Sequence, residues 1–95
     1  MLFTWDEKKS LANLKKHGVS FEAAQLVFAD PLHVSRQERI ENGEQRWQTL
    51  GMAEGVVLLL VAHTWRETHS GEEIIRLISA RRATTMERKV YEEGT

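Results

Sequence analysis

The stretch RIENGEQRWQTLGMAEGVVLLLVAHTW, residues 39–65, decides the fold. Its centre is Asn42-Gly43. A two-residue hairpin of type I′ needs positive φ at both central positions, and Asn-Gly adopts that geometry at low cost. Gln45 to Leu50 returns from this turn, and Gly51 to Gly55 reads as a second one. Val56 to Trp65 is the most apolar segment of the chain and reads as a central strand. Before the hairpin, Leu32 to Ile40 is polar and alternating, as an edge strand would be. After the central strand, a polar loop through Ser70-Gly71 leads to a last strand, Glu73 to Ala80. Connections this short join antiparallel neighbours.

Helices flank the strands. Leu2 to Trp5 is a short apolar start that reads as a strand. Asp6 then caps a helix running to His17, with Gly18 suited to its C-terminal end. Ser20 caps a second helix, where Phe21, Ala24, Val27 and Phe28 share one face and Asp30-Pro31 ends the run. Thr84-x-x-Glu87 is a capping box for a final helix reaching about Glu93. The predicted order is β-α-α-β-β-β-β-α. It specifies an α+β domain, a mainly antiparallel sheet with helices packed on one face, as one unit over residues 1–95.

Composition narrows the function. The chain has 95 residues, 28% of them charged, and a net charge of −1, which argues against a broad electrostatic grip on nucleic acid. It has no cysteine, which excludes a thiolate metal site and a cysteine nucleophile and fits the cytoplasm. The longest apolar run, Val56 to Ala62, is far too short to span a membrane, and no basic-then-apolar signal segment opens the chain. The four histidines, at 17, 33, 63 and 69, have no metal-ligand spacing, so neither a metal nor a cofactor is expected. Charge is unevenly spread. Residues 1–20 hold four lysines against Asp6 and Glu7, and residues 79–91 hold Arg81, Arg82, Arg88 and Lys89 against Glu87. Any basic surface therefore joins the two ends of the chain, as a local anion site.

Three groups of residues could form such a site. On the first helix, Lys9, Asn13, Lys16 and His17 fall on one stripe, which reads equally as a solvated face or as one turned to phosphate. His17 sits at the helix C-terminus, where the macrodipole favours a protonated ring. In the returning hairpin strand, Arg46, Gln48 and Leu50 share one face, and Gln45, Trp47 and Thr49 the other. Arg46 on a half-buried strand calls for Glu44 or an external anion, and Trp47 is either core or a base-stacking platform. In the last strand, strict alternation puts Arg76 with Ile74, Ile78 and Ala80, and Arg81 with Ile75, Leu77 and Ser79. Arg76 and Arg81 thus point to opposite faces unless the chain bends, for which the small Ser79 and Ala80 leave room. Arg82 meets no such demand and reads as solvated surface, and His63 reads as structural.

Three segments carry a resemblance: FTWDEKKSLANLKKHGVSFEAAQLVFADP at 3–31, GEQRWQTLG at 43–51 and IRLISARRATTMERKVYE at 75–92. In this order and spacing they resemble the BrnT family, toxins of bacterial type II toxin–antitoxin pairs. The departures are a longer loop at Arg66 to Glu72 and a divergent edge strand at Val34 to Ile40. The resemblance implies a RelE-like fold and a metal-independent endoribonuclease that cuts mRNA and arrests translation. It also implies a BrnA-like antitoxin with a ribbon-helix-helix part, through which alone the pair would meet operator DNA.

On that implication, the RNA 2′-hydroxyl attacks the adjacent phosphate. The protein supplies proton transfer and positive charge on the phosphorane. Arg46, Arg76 and Arg81 are then expected to hold the phosphate, His17 to move a proton, and Ser79 to bond a phosphate oxygen. Lys9, Asn13, Lys16 and Tyr91 are expected to contact RNA. The alternative is a non-catalytic module that binds RNA or a protein partner through its sheet and basic ends.

Overall fold

The computed structural model describes residues 1–94. Their element order is the expected one: β1 (Leu2–Thr4), α1 (Glu7–His17), α2 (Phe21–Ala24), β2 (Val34–Glu41), β3 (Glu44–Ala53), β4 (Val57–Glu67), β5 (Glu73–Arg82) and α3 (Thr85–Glu93). The Asp6 carboxylate accepts from the Lys8 and Lys9 N–H groups and starts α1, and Gly18 ends it at φ 73°. The Ser20 hydroxyl accepts from Ala23 N–H to start α2, which tightens after one turn into a 3₁₀ segment, Gln25–Ala29. The Thr84–Glu87 capping box forms as a reciprocal pair at α3.

The five strands lie in the order β1-β5-β4-β3-β2. β1 runs parallel to β5, with Leu2 opposite Ile74 and Thr4 opposite Arg76. The remaining pairs are antiparallel. Asn42 and Gly43 take φ 54° and 75°, as a type I′ hairpin requires. The second turn is shifted from expectation. It is Glu54-Gly55, at φ 54° and 69°, and β3 runs on through Gly51 to Ala53. Gly51 serves close approach instead of a turn. A Cβ there would sit 2.6 Å from Val27 Cγ1 and 2.9 Å from the Val27 carbonyl oxygen, so only glycine lets the 3₁₀ segment lie this close to the sheet.

One face of the sheet is sealed where α1, α2 and the 3₁₀ segment lie on it. Phe21, Ala24 and Val27 pack onto Leu59, Val61, Ile75, Leu77 and Ala80. The other face buries Leu50, Leu58 and Leu60, which lie outside that cluster. The three helices do not share one face. α3 is tied through Glu87 to Arg81, which pairs with Leu60 and points away from α1 and α2. A compact helix of nine residues with none buried cannot add to the main core, so it is fastened by polar contacts instead.

β1 reaches only as far as Arg76, so the outer edge of β5 beyond it needs another partner. Asn13 supplies one. Its Nδ2 donates to the Ala80 carbonyl and to the Val19 carbonyl, both at 2.8 Å, and its Oδ1 accepts from Ala80 N–H at 3.1 Å. A side-chain amide thus stands in for a strand, satisfying buried backbone groups that would otherwise cost free energy.

Candidate functional site

Two irregularities shape the open face. In β5, Leu77 pairs with His63 but Ser79 already pairs with Ala62, so Ile78 is an extra residue. In β2, Gln37 pairs with Trp47 and Ile40 with Gln45, so Glu38 and Arg39 together oppose Arg46. Such bulges re-aim side chains and gather near active sites. Here the first one breaks the alternation expected for β5. Arg76, Ser79 and Arg81 pair with Thr64, Ala62 and Leu60, alternate residues of β4, and so share one face. Ile75, Leu77 and Ala80 are left for the core.

Between the two bulges lies a depression of about 200 Å³, lined among others by Glu38, Arg39, Arg46, Gln48, Ser79 and Arg81. Three guanidinium groups thus face one carboxylate around it. Arg46 is the most enclosed, with a side chain 15% exposed. Its Nη2 lies 3.2 Å from Glu41 Oε2, and its Nε is buried with no hydrogen-bond partner among the described residues. The expected Glu44 partner belongs elsewhere. Arg76 holds Glu44 in a two-pronged pair at 2.7 and 3.0 Å, outside the depression. Those hydrogen bonds hold the Glu44 carboxyl below its ordinary range.

Arg81 has a second attachment. Its two terminal nitrogens donate to the two Glu87 oxygens at 2.8 and 2.9 Å. This pair drives the Glu87 carboxyl down to about 2 and raises Arg81 in turn. Glu87 also accepts from Thr84 N–H, so one carboxylate fixes both the arginine and the start of α3. Arg39 is paired with Glu38 and Glu41. The cations are therefore held by carboxylates at the rim, in positions that an incoming phosphate could share or take over.

The remaining expected residues lie apart from this depression. His17, Lys9 and Lys16 are on α1, and none of them lines it. Asn13, read as part of a surface stripe, is 7% exposed and engaged with Val19 and Ala80. Contrary to the expected RNA contact, its amide is committed to the backbone on both its donor and its acceptor side. Tyr91 donates its hydroxyl to Asp30 Oδ2 at 2.6 Å, beside a separate cavity. That bond, with burial, raises the Tyr91 hydroxyl to about 12. Burial works to raise the Asp30 carboxyl, but donors from Met52, Tyr91 and Leu32 outweigh it and hold it low. Reasoning from sequence missed Glu38, Arg39 and Gln48. Gln48 was legible, since it shares a face with Arg46, whereas Glu38 and Arg39 join only through the bulge.

A second polar cluster lies on the helix side of the same strands. His63 is 2% exposed, and burial pushes its imidazole below the usual value against a backbone bond that favours the charged form. Its Nδ1 faces the Thr64 carbonyl at 3.0 Å, and its Nε2 lies 2.7 Å from Thr49 Oγ1. Phe28 meets it edge-on at 4.9 Å. Trp47 stands edge-to-face with Trp65 at 5.4 Å. His63 is thus enclosed, in keeping with a structural part, while Trp47 is only half-buried.

Residues 5–87 match the model of the family described as the ribonuclease toxin BrnT of type II toxin–antitoxin systems. The crystal structure of the Brucella abortus ribonuclease toxin BrnT, at 1.1 Å resolution, matches with a TM-score of 0.59 at 20% identity. That match covers 90% of this chain and 100% of the Brucella chain, and it shows a common fold. No curated protein sequence matches the chain significantly.

Proposed function

Because the chain belongs to the BrnT family of ribonuclease toxins of type II toxin–antitoxin systems, we propose that it cuts mRNA without a metal ion. Translation stops as a result. A BrnA-like ribbon-helix-helix antitoxin covers the toxin and alone carries the pair to operator DNA. Its place of action is the cytoplasm, where its substrate is.

The observation that carries the reading is the grouping of Arg46, Arg39, Arg81 and Ser79 around one depression, with the buried Arg46 Nε lacking a partner among the described residues. A phosphate would satisfy that donor and the Nη groups beside it. Arginine suits the task because its planar fork matches two phosphate oxygens and keeps its charge. The 2′-oxygen forms a bond to phosphorus, the bond to the 5′-oxygen breaks, and the 2′-proton passes to a base. The departing 5′-oxygen takes up a proton from solvent. Glu38, the carboxylate lining the depression, is our candidate base. His17, on α1 and outside the lining of the depression, is assigned no proton transfer. The products are a 2′,3′-cyclic phosphate and a 5′-hydroxyl end. Fixed positive charge on the phosphorane is the main contribution, worth roughly 10²–10³-fold for one well-placed donor. In the free protein Arg81 holds α3 through Glu87, so we assign it a supporting part. Arg76, occupied by Glu44, is assigned to the fold.

Purified, antitoxin-free protein incubated with RNA and a chelator tests this. Expected are fragments with 5′-hydroxyl ends. Binding without cutting would support the competing regulatory module and overturn the enzyme.

A further inference from the structure

The cluster on the helix side borders a cavity of about 300 Å³, lined among others by Phe28, His33, Ser35, Trp47, Trp65 and Glu73. That is the size of a pocket for a single small ring system. Its walls are aromatic. The character of its polar edge follows from the hydrogen bonds. The Thr64 carbonyl only accepts, so His63 carries its proton on Nδ1 and its Nε2 accepts from the Thr49 hydroxyl. The Thr49 oxygen in turn accepts from the Ser35 hydroxyl, 2.7 Å away. Ser35 therefore spends its proton inward and turns only lone pairs outward. His33 Nδ1 faces the Asp30 carbonyl at 2.7 Å and donates to it, so that proton too is spent away from the cavity. Glu73 accepts the Trp65 indole N–H on Oε2 at 3.0 Å and has Oε1 free of any described side-chain bond.

The cavity thus offers aromatic faces and an edge rich in acceptors. Its ligand must be a flat ring that brings donors. Among the four RNA bases, guanine alone has two adjacent N–H donors, N1 and N2, on its pairing edge. Adenine and cytosine set one donor beside an acceptor, and uracil has a single donor between two acceptors. A carboxylate is the natural partner for two adjacent donors. The tryptophans supply the stacking surface that an unpaired base needs.

We propose that this cavity is a guanine subsite, taking a base of the RNA other than the one beside the cleaved phosphate. The two sites are back to back: Arg46 and Trp47 are consecutive residues on opposite faces of β3. A bound strand would turn round the sheet to use both. The purpose of the subsite rests on the ribonuclease reading, but its occupancy does not.

Nucleosides separate the two, since they lack the phosphate that the arginines would hold. Guanosine added to the whole protein should quench tryptophan fluorescence saturably, through Trp47 and Trp65. Adenosine, cytidine and uridine should bind roughly tenfold or more weakly, the loss expected for a charged hydrogen bond. Glu73→Gln keeps an acceptor for the Trp65 N–H but removes the second carboxylate oxygen, so guanosine affinity should fall about as far with the melting temperature unchanged. Equal quenching by all four nucleosides, quenching by none, or unchanged guanosine binding in Glu73→Gln would overturn the subsite. Guanosine binding by a protein that cuts no RNA would instead keep the subsite and remove the ribonuclease reading.

Discussion

On one side of the sheet, Val61, Leu77 and Ala80 are sealed beneath Phe21 and Val27. One residue along on the same strands, Ala62, Ser79 and Arg81 line an open depression. The same backbone builds both faces. The first gains stability from apolar area removed from water, about 25 cal/mol per Å². The second collects arginines, and each carries a carboxylate partner at or near the surface. Exposed pairs of this kind add little to stability, so the open face can be altered at small cost to the fold. The part of the sheet packed beneath α1 and α2 therefore does the work of folding, and the arginine depression on the opposite face is left free for the chemistry. The Ile78 bulge is where that separation is made, since it turns Arg81 out and Ala80 in.

The first way to break this comparison is on the sealed face. Phe21 is fully buried, and Phe21→Ala should lower unfolding free energy by about 3–5 kcal/mol in a urea titration. A loss under about 1 kcal/mol would mean that the core lies elsewhere. Next comes the seam between helix and sheet. Asn13→Ala leaves the Ala80 N–H and carbonyl without their partner, at an expected cost of about 1–3 kcal/mol. Amide exchange at Ala80 should quicken with it. An unchanged exchange rate would show that water serves the edge equally well.

The smallest effect belongs to the open face and depends on pH. Glu87 has a folded-state value of about 2, below its ordinary 4.5, because Arg81 and the Thr84 cap favour the charged form. Its contribution is whole above about pH 4.5 and is lost as pH falls toward 2. Because the Arg81 side chain is 39% exposed, solvent screening limits the ion-pair part to about 1 kcal/mol or less. Stability measured from pH 6 to pH 2 should therefore fall less steeply in Arg81→Ala than in the parent chain. Parallel curves would remove the ion pair from the account.

Much of this was legible in the sequence, where local chemistry decides local structure. Asp6, Ser20 and Thr84 cap helices, and Asn42-Gly43 turns the hairpin, because each acts on neighbouring backbone. What was not legible depends on distant parts of the chain. Gly51 reads as a turn residue, and only the approach of Val27 reveals its use. The stripe containing Asn13 is correct as spacing, but spacing does not say which side of a helix meets the sheet. The bulges at Ile78 and at Glu38-Arg39 leave no composition signal, yet they decide which arginines meet. Strict alternation therefore parted Arg76 from Arg81, although it placed Arg46 with Gln48 correctly.

The central claim is that the arginine depression cleaves RNA while the residues packed beneath α1 and α2 hold the fold. Arg46→Ala tests it most directly, with RNA cleavage rate and melting temperature measured on the same preparation. The account predicts a rate roughly 10²–10³-fold lower, with a melting temperature within a few degrees of the parent. Cleavage at the parental rate by a folded Arg46→Ala protein would contradict it.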